Sequence, residues 1–157
     1  MQTPDSLNLV RQFHEAFDHP MPEKPLIPAE NRCRLRVSLL AEELKELEQA
    51  IEHRDLEAVA DALCDLQYVL SGAVLEFGLG EKFEALFNEV QRSNMSKACL
   101  SEEEAKKTAT HYKESKNVAS HYVRRGDKWL VYRTEDNKTL KSITYSPANL
   151  ARILESK

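Results

Sequence analysis

Cysteine is sparse in this chain: Cys33, Cys64 and Cys99 are three in 157 residues, odd in number, widely spaced and without a CxxC pair. They offer neither a disulfide framework nor a zinc site, and read as reduced thiols of a cytoplasmic protein. Long apolar runs are missing too. None approaches the roughly 20 residues that a bilayer-crossing helix needs, so no membrane partner is expected. The opening MQTPDSLNLV lacks the basic-then-apolar order of a signal peptide. Neither sign of charge dominates. The formal charge of −4 gives no electrostatic reason to expect a nucleic acid as partner. Internal repeats and low-complexity stretches are also absent. What remains, 41% apolar and 31% charged residues, is ordinary for one soluble domain with or without a small appendage.

Periodicity predicts a mainly α protein. Leu9, Val10, Phe13, Ala16 and Phe17 have helical spacing within Asp5 to Asp18. Pro20, Pro22 and Pro25 then forbid a helix and make an extended connector. Leu35, Leu39, Leu40, Leu44, Leu47 and Ile51 stripe a long helix from Glu30 to His53. Asp55 is placed to cap the next helix, which runs to about Phe77 and stops at Gly78 and Gly80. A fourth helix is predicted from Glu81 to Arg92, with Phe83, Leu86, Phe87 and Val90 inward. Ser101 and Glu104 have the spacing of a capping box and open a fifth helix to about Lys116. Beyond it, three β-branched and aromatic stretches (121–125, 129–133 and 140–145) predict two or three short antiparallel strands. Ser146-Pro147 has the form of a cap with proline at the first helical position, opening a terminal helix to Leu154. The expected architecture is a helical bundle, residues 1–100, with an appendage of helix, β-hairpin and terminal helix, residues 101–157.

The informative positions are carboxylates set among leucines. Glu43 shares a helix face with Leu39, Leu40 and Leu47, and Glu46 lies one turn further on. Glu42 stacks on Glu46 at the margin of the same stripe. On the following helix Asp61 and Asp65 are four apart, flanked by Ala58, Ala62 and Val69. A short link at 53–55 makes the two helices antiparallel. Glu46 is then about as far from the link on one side as Asp61 is on the other, so the acids face one another at similar heights. Facing carboxylates repel unless a cation lies between them. Oxygen-only ligands select a hard ion, Mg²⁺ or Mn²⁺. Any one of these acids taken alone reads as an ordinary solvated side chain.

Glu42-Glu43-x-x-Glu46, a helix turn, and Asp61-Ala-Leu-Cys-Asp65-Leu-x-Tyr resemble the metal-binding core of the all-α nucleoside triphosphate pyrophosphatases. Phe13-His-Glu-Ala-Phe17, the proline-rich connector, Arg92-Ser-Asn94-Met-Ser-Lys97 and the tail Lys138-x-Leu-Lys-Ser-Ile-x-Tyr-Ser-Pro147 resemble its phosphoribosyl-ATP pyrophosphohydrolase-like branch, MazG-like proteins being relatives. The resemblance implies cleavage of a nucleoside triphosphate between the α and β phosphates, giving a monophosphate and pyrophosphate. It implies Mg²⁺ on Glu43, Glu46, Asp61 and Asp65, with Glu42 or Glu43 orienting the attacking water or taking its proton. Arg92 and Lys97 would supply positive charge to the phosphates, and Asn94 would donate hydrogen bonds. A homodimer or homotetramer is implied as well; the amount of apolar helix surface also asks for a second subunit. One departure stands out: the motif usually carries Glu three residues before Asp65, and here that position is Ala62. Asp61 is the substitute, with a shorter reach and a rotation of about 100° around the helix. Ala62 is also the feature that favours the alternative, a catalytically silent module binding nucleotides or a protein.

Three further groups bear on function. Phe13 and His14, with Phe17, are candidates for a nucleobase pocket, because aromatic faces stack on bases; ordinary core contact is the plainer reading. His14, Asp18 and His19 miss the HExxH spacing. Arg36 is expected at the surface or an interface.

Overall fold

A computed structural model describes residues 2–155, in the order three helices, a 3₁₀ turn, two helices, a β-hairpin and a short helix. Packing divides the chain into two compact units, one ending at Phe83 and one beginning at Glu84.

The N-terminal unit holds α1 (Ser6–Ala16), α2 (Glu30–His53) and α3 (Leu56–Glu76). α2 and α3 form an antiparallel pair because the link between them is two residues long. Arg54 takes the left-handed conformation and returns its N–H to Ala50 and Ile51. Asp55 then caps α3, its carboxylate accepting the N–H of Ala58 at 3.1 Å. α3 packs against both α1 and α2, around Val10, Ala50, Ala62, Val74 and Leu75. By length and composition α3 is also long and apolar enough to cross a bilayer, although its apolar residues are interrupted by acids. Its acids and its packing on two neighbours account for it as the central helix of this unit.

Gly78 ends α3 with φ +67°, and a Cβ there would lie 2.1 Å from the carbonyl oxygen of Lys24. Leu26 donates its N–H to Phe77 at 3.1 Å, so the proline-rich connector lies directly on the helix end. No residue but glycine fits that contact.

Seven-residue spacing gives the α2–α3 pair two different flanks. Val37, Leu44 and Ile51 on α2, and Leu56, Leu63 and Leu70 on α3, stand 44–80% exposed. For helices packed antiparallel, those two stripes fall on one side of the pair. Glu42, Glu46, Asp61 and Asp65 fall on the other. Between Met1 and Phe83, Asp and Glu outnumber Lys and Arg 16 to 8; from Glu84 onward Lys and Arg lead 14 to 10.

The C-terminal unit holds α4 (Phe83–Met95) from its second residue on, α5 (Glu102–Lys116), β1 (Ser120–Arg125), β2 (Lys128–Arg133) and α6 (Leu150–Glu155). Ser101 caps α5, accepting the N–H of Glu104 at 3.1 Å, while the Glu104 carboxylate accepts the N–H of Leu100 at 2.8 Å. The strands pair from Ser120↔Arg133 to Arg125↔Lys128 around Gly126, whose φ is +61°. Tyr122, Trp129 and Val131 pack with Cys99, Ala105, Ala109 and Tyr112 as the core. Cys99 exchanges both backbone hydrogen bonds with Trp129.

Three expectations are corrected. On α4, Leu86 and Ser93 are buried, whereas Phe87 is 63% and Val90 38% exposed. Residues 140–145 do not form a strand: only Tyr132↔Thr139 bridges and Leu140 bonds Val131. The last helix starts at Leu150, and its side-chain cap is Asn149, whose Oδ1 accepts the N–H of Arg152 at 3.3 Å. Ser146 instead gives its N–H to the Ser96 hydroxyl.

Candidate active site

Glu43 is the half-buried member of the acidic flank; Glu42, Glu46, Asp61 and Asp65 are exposed. Burial raises the Glu43 carboxyl above the ordinary range, and the charges of Asp65, Glu46, Glu42 and Asp61 raise it further. The fold thus brings four carboxylates from two helices within electrostatic reach of Glu43. They do not form a finished cage. Among the described residues no three His, Cys, Asp or Glu side chains converge closely enough to hold an ion by themselves. Mg²⁺ is a hard ion that keeps several waters and binds through one or two carboxylates plus phosphate oxygens. The donor set is oxygen only, and its repulsion is what a cation would relieve. Ala62 is 4% exposed, so a carboxylate in its place would be the most desolvated of the set.

Phe13, Phe17, His19 and Tyr68 form one aromatic group. Phe13 stacks on Phe17 at 4.3 Å and meets Tyr68 edge-on at 5.7 Å and His19 at 5.6 Å. Tyr68 follows Asp65 by one helical turn, so this group adjoins the acids along α3. Tyr68 is the closing residue of the Asp61-Ala-Leu-Cys-Asp65-Leu-x-Tyr pattern, which gives it no role of its own. His14, by contrast, points into the interior. Its Nε2 lies 3.2 Å from Nη2 of Arg36, and the ring is 2% exposed.

Arg36 is not a surface residue but 6% exposed. It donates through Nε to Glu76, a carboxylate buried to 1%. Arg32 completes the clamp, with Nε 2.5 Å from Oε1 and Nη2 3.1 Å from Oε2 of Glu76. Burial alone would raise the Glu76 carboxyl; the hydrogen bonds and charges of Arg32 and Arg36 outweigh it and hold the group below the ordinary range. Gly72 makes room: a Cβ there would come within 2.7 Å of Nη1 of Arg36 and 3.1 Å of Nε2 of His14. The sequence reading missed Glu76 and Gly72. Nothing in the local spacing of α2 or α3 announces either residue, because their partners lie on other helices.

The three polar residues near the end of α4 lie in the C-terminal unit. Arg92 is engaged with Glu89 at 2.7 and 2.9 Å and with the carbonyl of Pro147 at 3.0 Å. Lys97 bonds Oδ1 of Asn94 at 2.7 Å.

Carboxylates of two antiparallel helices, ranged along one flank of the pair, are the chemistry this helical scaffold presents. The sequence pattern of phosphoribosyl-ATP pyrophosphohydrolase matches residues 10–94, more than half of the chain, and the chain belongs to that family. A relative of no established activity, an uncharacterised protein of Acanthamoeba polyphaga mimivirus, is 37% identical over 82 residues. The match takes in 49% of this chain and 33% of that protein, so the chain spans about a third of its relative's length.

Proposed function

We propose that the chain hydrolyses a nucleoside triphosphate between the α and β phosphates, releasing a nucleoside monophosphate and pyrophosphate in a Mg²⁺-dependent reaction. The observation that carries this is Glu43, half-buried and pressed by four other carboxylates, in a family of pyrophosphohydrolases. Glu43, Glu46, Asp61 and Asp65 would hold the ion. Mg²⁺, when bound, supplies charge neutralisation of the phosphates and acidification of a water molecule. Glu42 or Glu43 orients the attacking water and accepts its proton. Phe13, with Phe17 and Tyr68, offers aromatic surface to the base, and His14 steadies that helix from the interior. Residues 1–100 are taken as the catalytic core.

Two copies of the chain are proposed to pair through the stripes of Val37, Leu44, Ile51, Leu56, Leu63 and Leu70. A heptad repeat on both helices of a hairpin fits a four-helix arrangement. Three free thiols fit a reducing cytoplasm. A silent nucleotide-binding module is the second reading, and buried Ala62 is the observation that favours it.

The test is pyrophosphate release from a panel of ribo- and deoxynucleoside triphosphates with Mg²⁺, Mn²⁺ or EDTA, for the wild type and Glu46→Ala. Metal-dependent release that falls at least 100-fold in Glu46→Ala is expected. Metal-independent release, or turnover unchanged in the variant, refutes the assignment; no release from any substrate selects the silent module.

A further inference from the structure

The β-hairpin of the C-terminal unit has one covered edge and one open edge. β2 is covered: Trp129 exchanges both backbone hydrogen bonds with Cys99, Val131 accepts the N–H of Leu140 at 2.8 Å, and Arg133 gives its N–H to Lys138 at 2.9 Å. These three residues therefore turn their backbone groups away from β1. In an antiparallel ladder, opposite residues either exchange their hydrogen bonds or both turn away. The residues opposite them are Arg124, Tyr122 and Ser120, so the N–H and C=O groups of those three point out along the far side of β1. Among the described residues no other backbone meets them, the sheet having two strands. Free edges are commonly blunted by a proline or a bulge, and β1 has neither.

A cleft of about 370 Å³ opens beside the start of this edge, between β1 and α5. Its lining is Ala109, Thr110 and Lys113 of α5 with Asn117, Ala119 and Ser120. The two alanines leave room that larger side chains would fill. The Ser120 hydroxyl is buried and has no hydrogen-bond partner, although buried polar groups are normally satisfied. An extended chain laid along β1 would find ladder partners on one side and α5 beside it, the arrangement by which a sheet edge takes up a peptide as an extra strand.

Charge selects which chain. Across 105–133, eight Lys and Arg stand against two acids, Glu114 and Asp127. Lys106, Lys107 and Arg133 are paired with Glu102, Glu103 and Asp136. Among the described residues Lys113, Arg124 and Arg125 have no carboxylate within ion-pair distance. Lys113 lies in the cleft at the start of β1, and the two arginines lie at its end, so both ends of the open edge are positive. A second copy adding its own β1 antiparallel would set Arg124 and Arg125 against the Lys113 end and be repelled. An acidic strand is drawn in.

We propose that the open edge of β1, with the cleft along α5, takes up an extended acidic segment of a partner protein as a third strand. Ser120, Tyr122 and Arg124 supply the ladder bonds, and Lys113 and Arg125 meet the carboxylates. The site lies within the C-terminal unit and does not depend on the catalytic reading above.

Random peptides displayed on phage and selected on the full chain are expected to converge on acids at alternate positions, the period of a strand. The most enriched peptide, fluorescein-labelled, is then read by anisotropy. Lys113→Glu is expected to weaken it about tenfold. Arg124→Pro removes an edge donor without touching the β1–β2 ladder, and is expected to cost about tenfold more than Arg124→Ala. Lys138→Glu, the same charge change beyond the covered edge, should leave binding unchanged. Trp129, the single tryptophan, stands opposite Arg124 and reports the integrity of the hairpin by fluorescence. Should Arg124→Pro disturb that emission, Lys113→Glu against Lys138→Glu decides alone. No enrichment, enrichment without acids, affinity weaker than about 1 mM, or equal losses in Lys113→Glu and Lys138→Glu overturns the proposal. So does a labelled oligouridylate that binds more tightly than the peptide and is lost in Lys113→Glu, which would make the face a nucleic-acid surface. A self-association in sedimentation velocity that Arg124→Pro abolishes would give the edge to a second copy, and overturns it equally.

Discussion

Replacing Glu76 by Gln keeps the shape of the side chain and removes its charge, leaving Arg32 and Arg36 without a counter-ion. The two arginines do not suffer equally. The Arg32 side chain is 30% exposed and regains water; the Arg36 side chain, at 7%, does not. Removing one partner of a buried pair costs about 3–5 kcal/mol. With one of the two guanidinium groups able to rehydrate, the lower end applies, about 3 kcal/mol. Urea unfolding followed by far-UV circular dichroism reads this directly, since the N-terminal unit holds the longest helices. Glu81→Gln is the control: its bridge to Arg11, at 2.7 Å, is 79% exposed on the acid side and its loss is expected to vanish within the error of extrapolation. A Glu76→Gln variant less than about 1 kcal/mol below wild type would show that Arg36 does not depend on Glu76, and the account of the buried clamp would be wrong.

Stability should fall on mild acidification. Burial, then Arg36 and His19, lower the pKa of His14 below 6.5. The unfolded chain therefore binds a proton near pH 6.5 that the folded one refuses, and stability present above that pH is lost below it, by at most about 1.4 kcal/mol per pH unit. Glu76, lowered below 4.5, acts in the same sense further down, its contribution lost as pH falls through and beneath the carboxylate range. Urea midpoints at pH 7.5 and 5.5 should differ for the wild type and differ less for His14→Gln; an unaltered difference in the variant would sink the assignment. Leu44→Lys or Leu63→Lys, each placing a charge in an apolar stripe, should convert a dimer to a species of 18.0 kDa in sedimentation velocity, and a wild type already of that mass would remove the proposed interface.

How much was legible followed from distance along the chain. The α2–α3 pair and its acids could be read because a carboxylate three or four residues from leucines declares its face locally. The capping of α3 by Asp55 and of α5 by Ser101 was equally local. Arg36 could not be placed, because the partner that permits its burial lies 40 residues away, and no spacing within α2 reports it. Phe87 and Val90 have helical spacing with Leu86, but the line that packs inward runs through Leu86 and Ser93. Residues 140–145 have strand-like composition, yet Thr108, Tyr112 and Glu104 of α5 take the groups a ladder would need. Ser146-Pro147 had the form of a cap and failed as one because Ser96 claims the Ser146 N–H.

The clamp on Glu76 also bears on how the chain is made. Arg32 and Arg36 precede Glu76 by 44 and 40 residues, so they leave the ribosome well before the carboxylate that neutralises them. At about 5–20 residues per second that interval lasts about 2–8 s. Through it, a helix with two unanswered guanidinium groups has nowhere dry to put them, and α1 has no finished surface to land on. Fragments ending before the last turn of α3 are therefore expected to stay unfolded and open to proteases, however helical their sequence. The first unit closes only when its final turn arrives.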